Sequence, residues 1–443
     1  MGMQNIDRDR HAFHVSRFIF YVLLAIIFTG CSAIPRLWEN GSDVPAPEIQ
    51  PTATLQVIEA TATPSSSAPK IITLKVWVPP QFEPGNETLA GEILQARLDE
   101  FAARRPQVEV AVRVKALSGT GGVLESLRAS RDAASLALPD LIILPRPLLE
   151  DAADEGLIYP LDELTNAMAD ENWYEYAQQL SRYNEQIMGL PFAGDVLLTA
   201  YRPSVVEDPP VNWETVLSTK EVLVFPASDE EALATFALYG SVGGAFVQEE
   251  GELLFDEGAF IEVLSFFQQG WEAGVMPYWI TQFETESQAW TSYQEKQSQL
   301  AFVWFSRYLS SPVSDTAFTS LPTQEGKAFS IANGWVWSLV SSEPERQELS
   351  VELAEFLTAN DFVAEWTSQA GYVPPRPSAL EIWAGNESWG VLEQVLQSAQ
   401  IIPSQSVLDK LGPLVRDAVV SVLKDQVTPE EAILTITGGD EAQ

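Results

Sequence analysis

Residues 186–202 read QIMGLPFAGDVLLTAYR, and this stretch decides how the rest of the chain is interpreted. It holds two apolar runs that favour strands, one ending before Pro191 and one over residues 196–201. Between them, Pro191 cannot donate to a ladder and Gly194 relaxes the steric limit on the backbone. We expect the chain to pass here from one half of the fold to the other. The lone acid at this point, Asp195, is either a turn residue or a carboxylate at the floor of a cleft.

Size and charge set the first limits. The chain has 443 residues, 46% of them hydrophobic, and 13 tryptophans. This is more than one hydrophobic core usually supports, so two domains are predicted. The formal net charge is −37, which argues against a nucleic-acid partner because phosphate binding needs a basic surface.

The distribution of histidine and cysteine excludes several kinds of chemistry. The only such residues are His11, His14 and Cys31, all near the N-terminus. The expected folded part therefore has no imidazole and no thiol. Ser-His-Asp and Cys-His catalysis, zinc held by His or Cys, and an internal disulfide are excluded there. We expect no metal site and no cofactor.

The N-terminus has the pattern of an export signal. Three arginines precede an apolar run over residues 18–28, which is too short for a transmembrane helix, since such a helix needs about 20 apolar residues. The run ends in Phe-Thr-Gly before Cys31, and this sequence resembles the lipobox of bacterial lipoproteins. We expect residues 1–30 to be a signal peptide and Cys31 to be acylated.

Residues 32–70 are rich in Pro, Thr, Ser and Ala and show no sustained hydrophobic period. Such a segment buries too little apolar surface to offset the entropy lost on ordering. We interpret residues 31–70 as the acylated cysteine and a disordered tether. The protein is therefore expected in the cell envelope, exported and held at a membrane by the lipid on Cys31.

The first part of the folded region alternates between strands and helices. Strands are predicted at residues 71–78, 107–115 and 140–144, with helices between them. This alternation is typical of right-handed crossovers in a parallel sheet covered on both faces. Ligands of such sheets lie beyond the carboxyl ends of the strands, which places residues 77–82 and 144–147 near a site.

The second part is more helical and richer in tryptophan. Strands are predicted at residues 222–225, 300–305 and 316–321. A further strand over residues 333–340 leads into a helix with a capping-box start. Residues 371–376 are another possible crossing between the two halves.

Seven motifs follow Lys70 in a fixed order. They are LKVWV (74–78), PDLIIL (139–144), EGLIYPLDEL (155–164), IMGLPFAGDVLLTAYRP (187–203), LAFVWFSRY (300–308), NGWVWSL (333–339) and AGYVPPRPSA (370–379). Each motif alone is weak, but their order and spacing are specific. Taken together, they resemble the motifs of family 1 extracellular solute-binding proteins, the maltose-binding-type receptors of ABC importers.

The resemblance implies a two-lobed α/β periplasmic-binding-protein type II fold. Each lobe is expected to be a largely parallel sheet flanked by helices, and three crossings form a hinge beside an interlobe cleft. We assign residues 71–194 plus about 322–370 to the N-terminal lobe. Residues 195–321 plus about 371–437 form the expected C-terminal lobe.

The resemblance also implies ligand contacts by position. A sugar presents polar edges, which favour charged partners, and apolar faces, which favour flat aromatic surfaces. Core packing is the alternative for any single tryptophan, and a surface ion pair is the alternative for either arginine. Where several sugar receptors carry Asp, Glu or Arg after the first strand, this chain has Pro-Pro-Gln. The expected contacts are Trp77, Gln81, Arg146, Asp195, Trp304, Trp335, Tyr372 and Arg376.

The resulting prediction is a monomeric receptor that performs no chemistry. It captures a carbohydrate, an oligosaccharide by our interpretation, and passes it to the transmembrane subunits of an ABC permease. A receptor for a polyamine or another cationic solute is the main alternative, because the surface is so acidic. A lipid-anchored glycoside hydrolase is a second alternative, since two carboxylates suffice for that reaction. A surface module that binds another protein is the third.

Overall fold

The computed structural model describes residues 71–133, 137–249, 252–385 and 388–437. The predicted signal peptide, Cys31 and the tether lie outside these residues, so they remain predictions. Within the described ranges, no helix combines the length and the apolar character needed to cross a bilayer.

Strands and helices alternate in the first part of the structure, as the sequence predicts. Apolar residues at helical spacing bury one face of each long helix, and the strands between them are the predicted apolar runs. The elements are β1 (Ile72–Val78), α1 (Leu89–Ala103), β2 (Val108–Val114), α2 (Val123–Ala133), β3 (Leu141–Pro145), α3 (Arg146–Asp154), α4 (Glu175–Leu180), β4 (Arg182–Tyr183) and β5 (Gln186–Ile187).

The next strand, β6 (Leu190–Tyr201), is one continuous strand of 12 residues, not the two runs separated by a loose segment that we expected. Its register with a later strand shifts beside Pro191, so that Phe192 is an extra residue on β6. A bulge of this kind accommodates a proline inside a strand, because the missing N–H falls where the ladder is already interrupted.

The middle part of the chain follows β6 and builds a second group of helices and strands. Its elements are α5 (Trp213–Thr219), β7 (Leu223–Val224), α6 (Leu233–Ser241), β8 (Phe246–Glu249), β9 (Glu252–Phe255), α7 (Glu257–Glu272), α8 (Glu286–Gln294), β10 (Leu300–Trp304), α9 (Phe305–Ser310) and β11 (Ala317–Thr319).

The last part begins with another long strand and then becomes helical. Its elements are β12 (Ser330–Leu339), α10 (Pro344–Leu357), α11 (Asn360–Ala370), α12 (Pro377–Ile382), α13 (Ser388–Ser398), β13 (Ala399–Ile401), α14 (Gln405–Leu423) and α15 (Pro429–Thr437).

The strands join in the order β2-β1-β3-β12-β6-β10-β7, with β11 also pairing with β6 and β13 with β12. The pairs β1–β2, β1–β3 and β10–β7 are parallel. The long strand β6 runs antiparallel to its neighbours: Val196 still pairs with β12, whereas Leu197 already pairs with β10. One strand therefore belongs to both halves of the fold.

Two large hydrophobic cores lie on either side of this crossing. The first is built around β1, β3, α1, α10 and α11. The second is built around β7, β10, α6, α7, α14 and α15. The predicted fold class, a two-lobed α/β fold with helices flanking the sheets, is confirmed.

The position of the last crossing differs from the expectation at residues 371–376. Helix α11 stays with the first core, where the indole N–H of Trp366 donates to the carbonyl of Ala90 at 3.1 Å. Val373 and Leu396 also pack in this core, and the second core resumes only at Ile402. The lobe boundaries remain a prediction, and this packing argues for moving the last boundary from residue 371 to about residue 400.

Candidate functional site

A cavity of about 440 Å³ opens where β6, β12 and α9 meet. We call it the crossing cavity. Its volume lies in the range of small-ligand sites, about 300–1,000 Å³. Residues from both cores form its wall, which consists of Pro145, Asp195, Leu233, Glu286, Trp304, Ser306, Arg307, Ser310, Asn333, Gly334, Trp335, Ala370 and Tyr372.

The crossing strands approach closely because both carry glycine at the same level. Gly194 and Gly334 are opposite one another in the β6–β12 register. A Cβ atom on Gly334 would lie 2.5 Å from the carbonyl oxygen of Ala193, and one on Gly194 would lie 2.2 Å from the hydroxyl of Tyr176. Neither position has room for a side chain.

A third segment joins the crossing through main-chain hydrogen bonds. The amides and carbonyls of Gly194 and Val373 exchange two bonds of 2.8 Å. This pairing brings Tyr372 beside Asp195, while the β6–β12 register places Asn333 opposite Asp195. Residues far apart in sequence thus converge on one wall of the crossing cavity.

Asp195 is held at the crossing by residues of α9. Its carboxylate accepts hydrogen bonds from the Ser306 amide at 3.0 Å and from the Ser306 hydroxyl, and another from the amide of Val196 at 3.0 Å. Burial raises the pKa of Asp195 to about 7, against the opposing effect of the hydrogen bonds from Ser306, and the charge of Glu286 adds to the rise.

Glu286, the first residue of α8, supplies a second carboxylate. It accepts hydrogen bonds from the amide of Trp304 at 2.9 Å and from Nε of Arg307 at 3.3 Å. Burial raises the pKa of Glu286, and the contacts with Trp304 and Arg307 oppose this effect. Arg307 is the single basic side chain in the described lining of this cavity. Its Nη2 also donates to the Ser287 hydroxyl at 3.0 Å, so the guanidinium is held in place by both Glu286 and Ser287.

Three half-buried aromatic side chains, Trp304, Trp335 and Tyr372, complete the wall. The ring of Phe82 supports two of them from behind, with its centroid 4.8 Å from that of Trp335 and 5.5 Å from that of Tyr372. Burial raises the pKa of Tyr372 to about 12, so its hydroxyl is a neutral donor at physiological pH. The cavity therefore combines aromatic surfaces with hydrogen-bonding groups.

Four of the eight expected contacts, Asp195, Trp304, Trp335 and Tyr372, line this cavity together. The other four are not part of its lining. These assignments remain predictions about binding.

The structure places Trp77 in a hydrophobic core and not at the cleft. We expected it at the carboxyl end of β1 to reach the cleft, but its side chain is only 2% exposed and packs in a core with Leu127 and Ile142. The reason is that both faces of β1 are covered, so side chains are buried whichever face of the sheet they point to.

The two arginines flanked by prolines have structural partners instead. Nε of Arg146 lies 2.6 Å from the Glu150 carboxylate, and its Nη1 donates to the carbonyl of Gln179 at 2.9 Å. Arg376 lies 3.1 Å from Asp170 and stacks over the ring of Trp173 at 3.6 Å. Arg146 and Arg376 therefore each form an ion pair, which is the alternative that we considered for them.

Gln81 lies in a 3₁₀ turn, Pro80–Phe82, and is exposed. The importance of this turn lies in its last residue, Phe82, which supports the aromatic wall.

Sequence reasoning missed several wall residues, namely Glu286, Ser306, Arg307 and Asn333. Ser306 and Arg307 lie two and three residues after Trp304, and Asn333 lies two residues before Trp335, so proximity to a predicted contact could have indicated them. Glu286 had no such signal, because only the packing of α8 against β10 brings it to the site. Among the residues of the described ranges, no group of three His, Cys, Asp or Glu side chains is arranged to hold a metal ion.

Sequence comparison relates this chain to exported binding proteins. The profile of a family described as "Bacterial extracellular solute-binding protein" matches residues 96–389. A maltotriose-binding protein of Pyrococcus abyssi (strain GE5 / Orsay) is 22% identical over 171 residues, which is 38% of this chain. The match spans 35% of that relative, about a third of its length.

Two solved structures share the fold over nearly their whole length. The maltose-bound MalE3 of T. maritima has a TM-score of 0.62 at 19% identity, covering 83% of this chain and 99% of that one. The cyclic α-maltosyl-1,6-maltose binding protein from Arthrobacter globiformis has a TM-score of 0.70 at 15% identity, covering 84% and 98%. At these identities the likeness concerns the fold. Because the family profile matches more than half of the sequence, the chain belongs to the bacterial extracellular solute-binding protein family.

Proposed function

We propose that this protein captures a carbohydrate, an oligosaccharide, in the crossing cavity and delivers it to the permease of an ABC importer. The observation that carries the proposal is the joint presence of Trp304, Trp335 and Tyr372 with Asp195 and Arg307 in one cavity. Aromatic faces bury the apolar faces of sugar rings at little entropic cost, and charged groups form strong hydrogen bonds with hydroxyls. The relatives named for maltotriose and maltose support a glucan as the first candidate.

The remaining parts of the proposal rest on the N-terminal sequence. Residues 1–30 direct export, the lipid on Cys31 anchors the protein, and residues 32–70 tether it near the permease. The receptor works as a monomer and catalyses no reaction.

A cationic ligand is the alternative favoured by the net charge of −37 and by the two carboxylates in the cavity. However, protein donors already offset part of the negative charge: Ser306 donates to both oxygens of Asp195, and Trp304 and Arg307 donate to the two oxygens of Glu286. Burial also raises the pKa of both carboxyls, which disfavours their charged forms. These features favour an uncharged ligand over a polyamine.

A glycoside hydrolase is the alternative favoured by the presence of Asp195 and Glu286 in one cavity, since that reaction uses two carboxylates. Donors from Ser306, Trp304 and Arg307 hold both carboxylates against the protein, and this pattern of contacts suits a structural role. We therefore propose that the pair orients α8 and α9 and does not react.

A thermal-shift and calorimetry screen of the purified protein tests this proposal. Maltose, maltotriose and maltotetraose are compared with spermidine, putrescine and amino acids. A ligand that binds only the folded state raises the melting temperature by mass action, so we expect a rise with at least one oligosaccharide. Stabilisation by polyamines alone would favour the cationic alternative. Release of glucose from a bound maltodextrin would favour the hydrolase.

A further inference from the structure

A second cavity of about 530 Å³ lies beside the crossing cavity. We call it the apolar cavity, because aromatic and aliphatic side chains dominate its wall. Members of this wall include Phe236, Phe246, Leu253, Phe329, Ile331 and Ile401. The rings of Phe236 and Phe246 contact each other edge to face with centroids 5.4 Å apart, so part of the wall is a packed aromatic pair.

The two cavities adjoin along β12. Ile331 lines the apolar cavity, while Asn333 and Trp335 line the crossing cavity. Side chains two positions apart on a strand project from the same face, about 7 Å from one another. One face of β12 therefore runs from the apolar cavity into the crossing cavity.

The opposite wall shows the same continuity. On α6, Leu233 lines the crossing cavity and Phe236 lines the apolar cavity. Residues three apart on a helix share a face and differ by about 4.5 Å along the axis. The consecutive residues Pro145 and Arg146 divide between the two cavities in the same way. The cavities are neighbouring compartments of one groove.

The charges of the apolar cavity do not call for an anion. Two basic residues, Arg146 and Lys410, belong to its wall. The Glu150 carboxylate at 2.6 Å and main-chain carbonyls already neutralise and orient the guanidinium of Arg146, and Lys410 also has an interaction partner. The described lining contains no Asp or Glu that would attract a cation. An uncharged apolar group fits this compartment best.

We propose that the ligand is a glycoside with an apolar aglycone, its sugar in the crossing cavity and its alkyl or aryl group in the apolar cavity. This inference rests on the proposed carbohydrate function and narrows its ligand class. A free oligosaccharide offers the apolar compartment only the faces of its rings, whereas an alkyl or aryl group is apolar throughout. A ligand of both kinds would use the groove that β12 and α6 line together.

Titration calorimetry with methyl, butyl and hexyl β-maltoside tests the inference on the full-length protein. Burying one methylene contributes about 0.8 kcal/mol, which corresponds to about fourfold in affinity. We expect the dissociation constant to fall by about fourfold per added methylene until the compartment is full. We expect Leu253→Asn to at least halve the slope of log affinity against chain length while preserving the affinity for methyl maltoside, because Leu253 lines the apolar cavity and not the crossing cavity.

Ile382→Asn is the matched control, because Ile382 is 59% exposed and lies outside both described linings. It should leave the slope unchanged. If Leu253→Asn does not fold, as judged by circular dichroism, Ile401→Asn alters another residue of the wall and should also reduce the slope. Equal affinities for the three maltosides, or a slope that neither wall variant changes, would overturn this inference and leave the proposed function standing. Failure of methyl maltoside itself to bind would contradict the proposed function.

Discussion

At the scale of single residues, Trp335 and Trp337 show how position on one strand separates binding from packing. Both lie on β12, but Trp337 is 1% exposed and tilts against Phe192 in the first core. Trp335 is half-buried and presents part of its indole to the crossing cavity. The sequence Trp-Val-Trp alone does not show which of the two tryptophans binds ligand and which packs in the core.

We expect Trp335→Ala to weaken oligosaccharide binding at least tenfold, because large aromatic contacts dominate the energetics of buried binding sites. The variant should remain folded, since part of the side chain already faces solvent. Trp337→Ala is the comparison, and its loss of core packing should lower the free energy of unfolding by about 3–5 kcal/mol. Calorimetry and urea unfolding of both variants measure the two effects. An unaffected ligand affinity in Trp335→Ala would remove it from the site.

The carboxyl of Asp195 gives a prediction about pH. Its folded-state pKa is about 7, whereas an aspartate in an unfolded chain has a pKa near 3.9. Between these values the folded state binds more protons than the unfolded state, so Asp195 lowers the free energy of unfolding as pH rises from about 4 to about 7. Asp195→Asn removes this titration while keeping a group that can bond with Ser306.

The free energy of unfolding of Asp195→Asn, relative to that of wild type, should therefore rise by about 2 kcal/mol from pH 4.5 to pH 7.5. This value is smaller than the full pKa difference would give, because the carboxyl keeps some contact with water. Urea unfolding across this pH range measures the difference. Asp361→Asn is the control, because it removes one charge from a side chain that is 80% exposed. Parallel pH profiles for Asp195→Asn and wild type would show that Asp195 ionises normally.

At the scale of elements, the crossing depends on how closely β6 and β12 approach. Gly334 faces main chain, with the Ala193 carbonyl 2.5 Å from a hypothetical Cβ, so a methyl group there can be accommodated only by moving a strand. We expect Gly334→Ala to lower the free energy of unfolding by about 2 kcal/mol and to weaken ligand binding, because the displaced strand carries Trp335.

Gly390→Ala is the control for Gly334→Ala, and its expected effect on the free energy of unfolding has the opposite sign. Gly390 lies in α13 with no atom within 4 Å of its hypothetical Cβ. Alanine there should stabilise the protein by about 0.5 kcal/mol, because it reduces the freedom of the unfolded chain. Urea unfolding of both variants gives the comparison, and equal effects would mean that the close approach at Gly334 is unimportant.

The elements also show what the sequence could and could not predict. Strand β1, the halves of β6, and strands β10 and β12 follow from apolar runs, and Asp195 at their crossing follows from its isolation between two of them. The position of Trp77 was predicted wrongly because a strand covered on both faces lacks the alternation of apolar and polar residues that shows which side chains are buried. The packing argues for a later last crossing than the sequence indicated, because Gly371 ends α11 without revealing which core the next helix joins. Glu286 was missed because its position depends on tertiary packing alone.

At the scale of the whole molecule, two cores are connected through a few short segments. These are the middle of β6, the start of β12 and the stretch around β13, where Ile402 donates its amide to the carbonyl of Ala332 at 2.9 Å. A small change of backbone angles in such segments can rotate one lobe against the other, as in hinge closure around a ligand. The wall of the crossing cavity contains residues from both cores, so we expect its two sides to move relative to each other.

We therefore expect a bound oligosaccharide to close the groove and make the protein more compact. Small-angle X-ray scattering at saturating ligand should show a smaller radius of gyration than the ligand-free protein, because contacts with both walls exist only in the closed state. Trp335→Ala at the same sugar concentration is the control and should retain the larger value. If wild type binds the sugar by calorimetry and its radius of gyration does not change, the lobes are already closed or do not move. The sugar would then have to enter a preformed groove, and the hinge segments would serve only to connect the two cores.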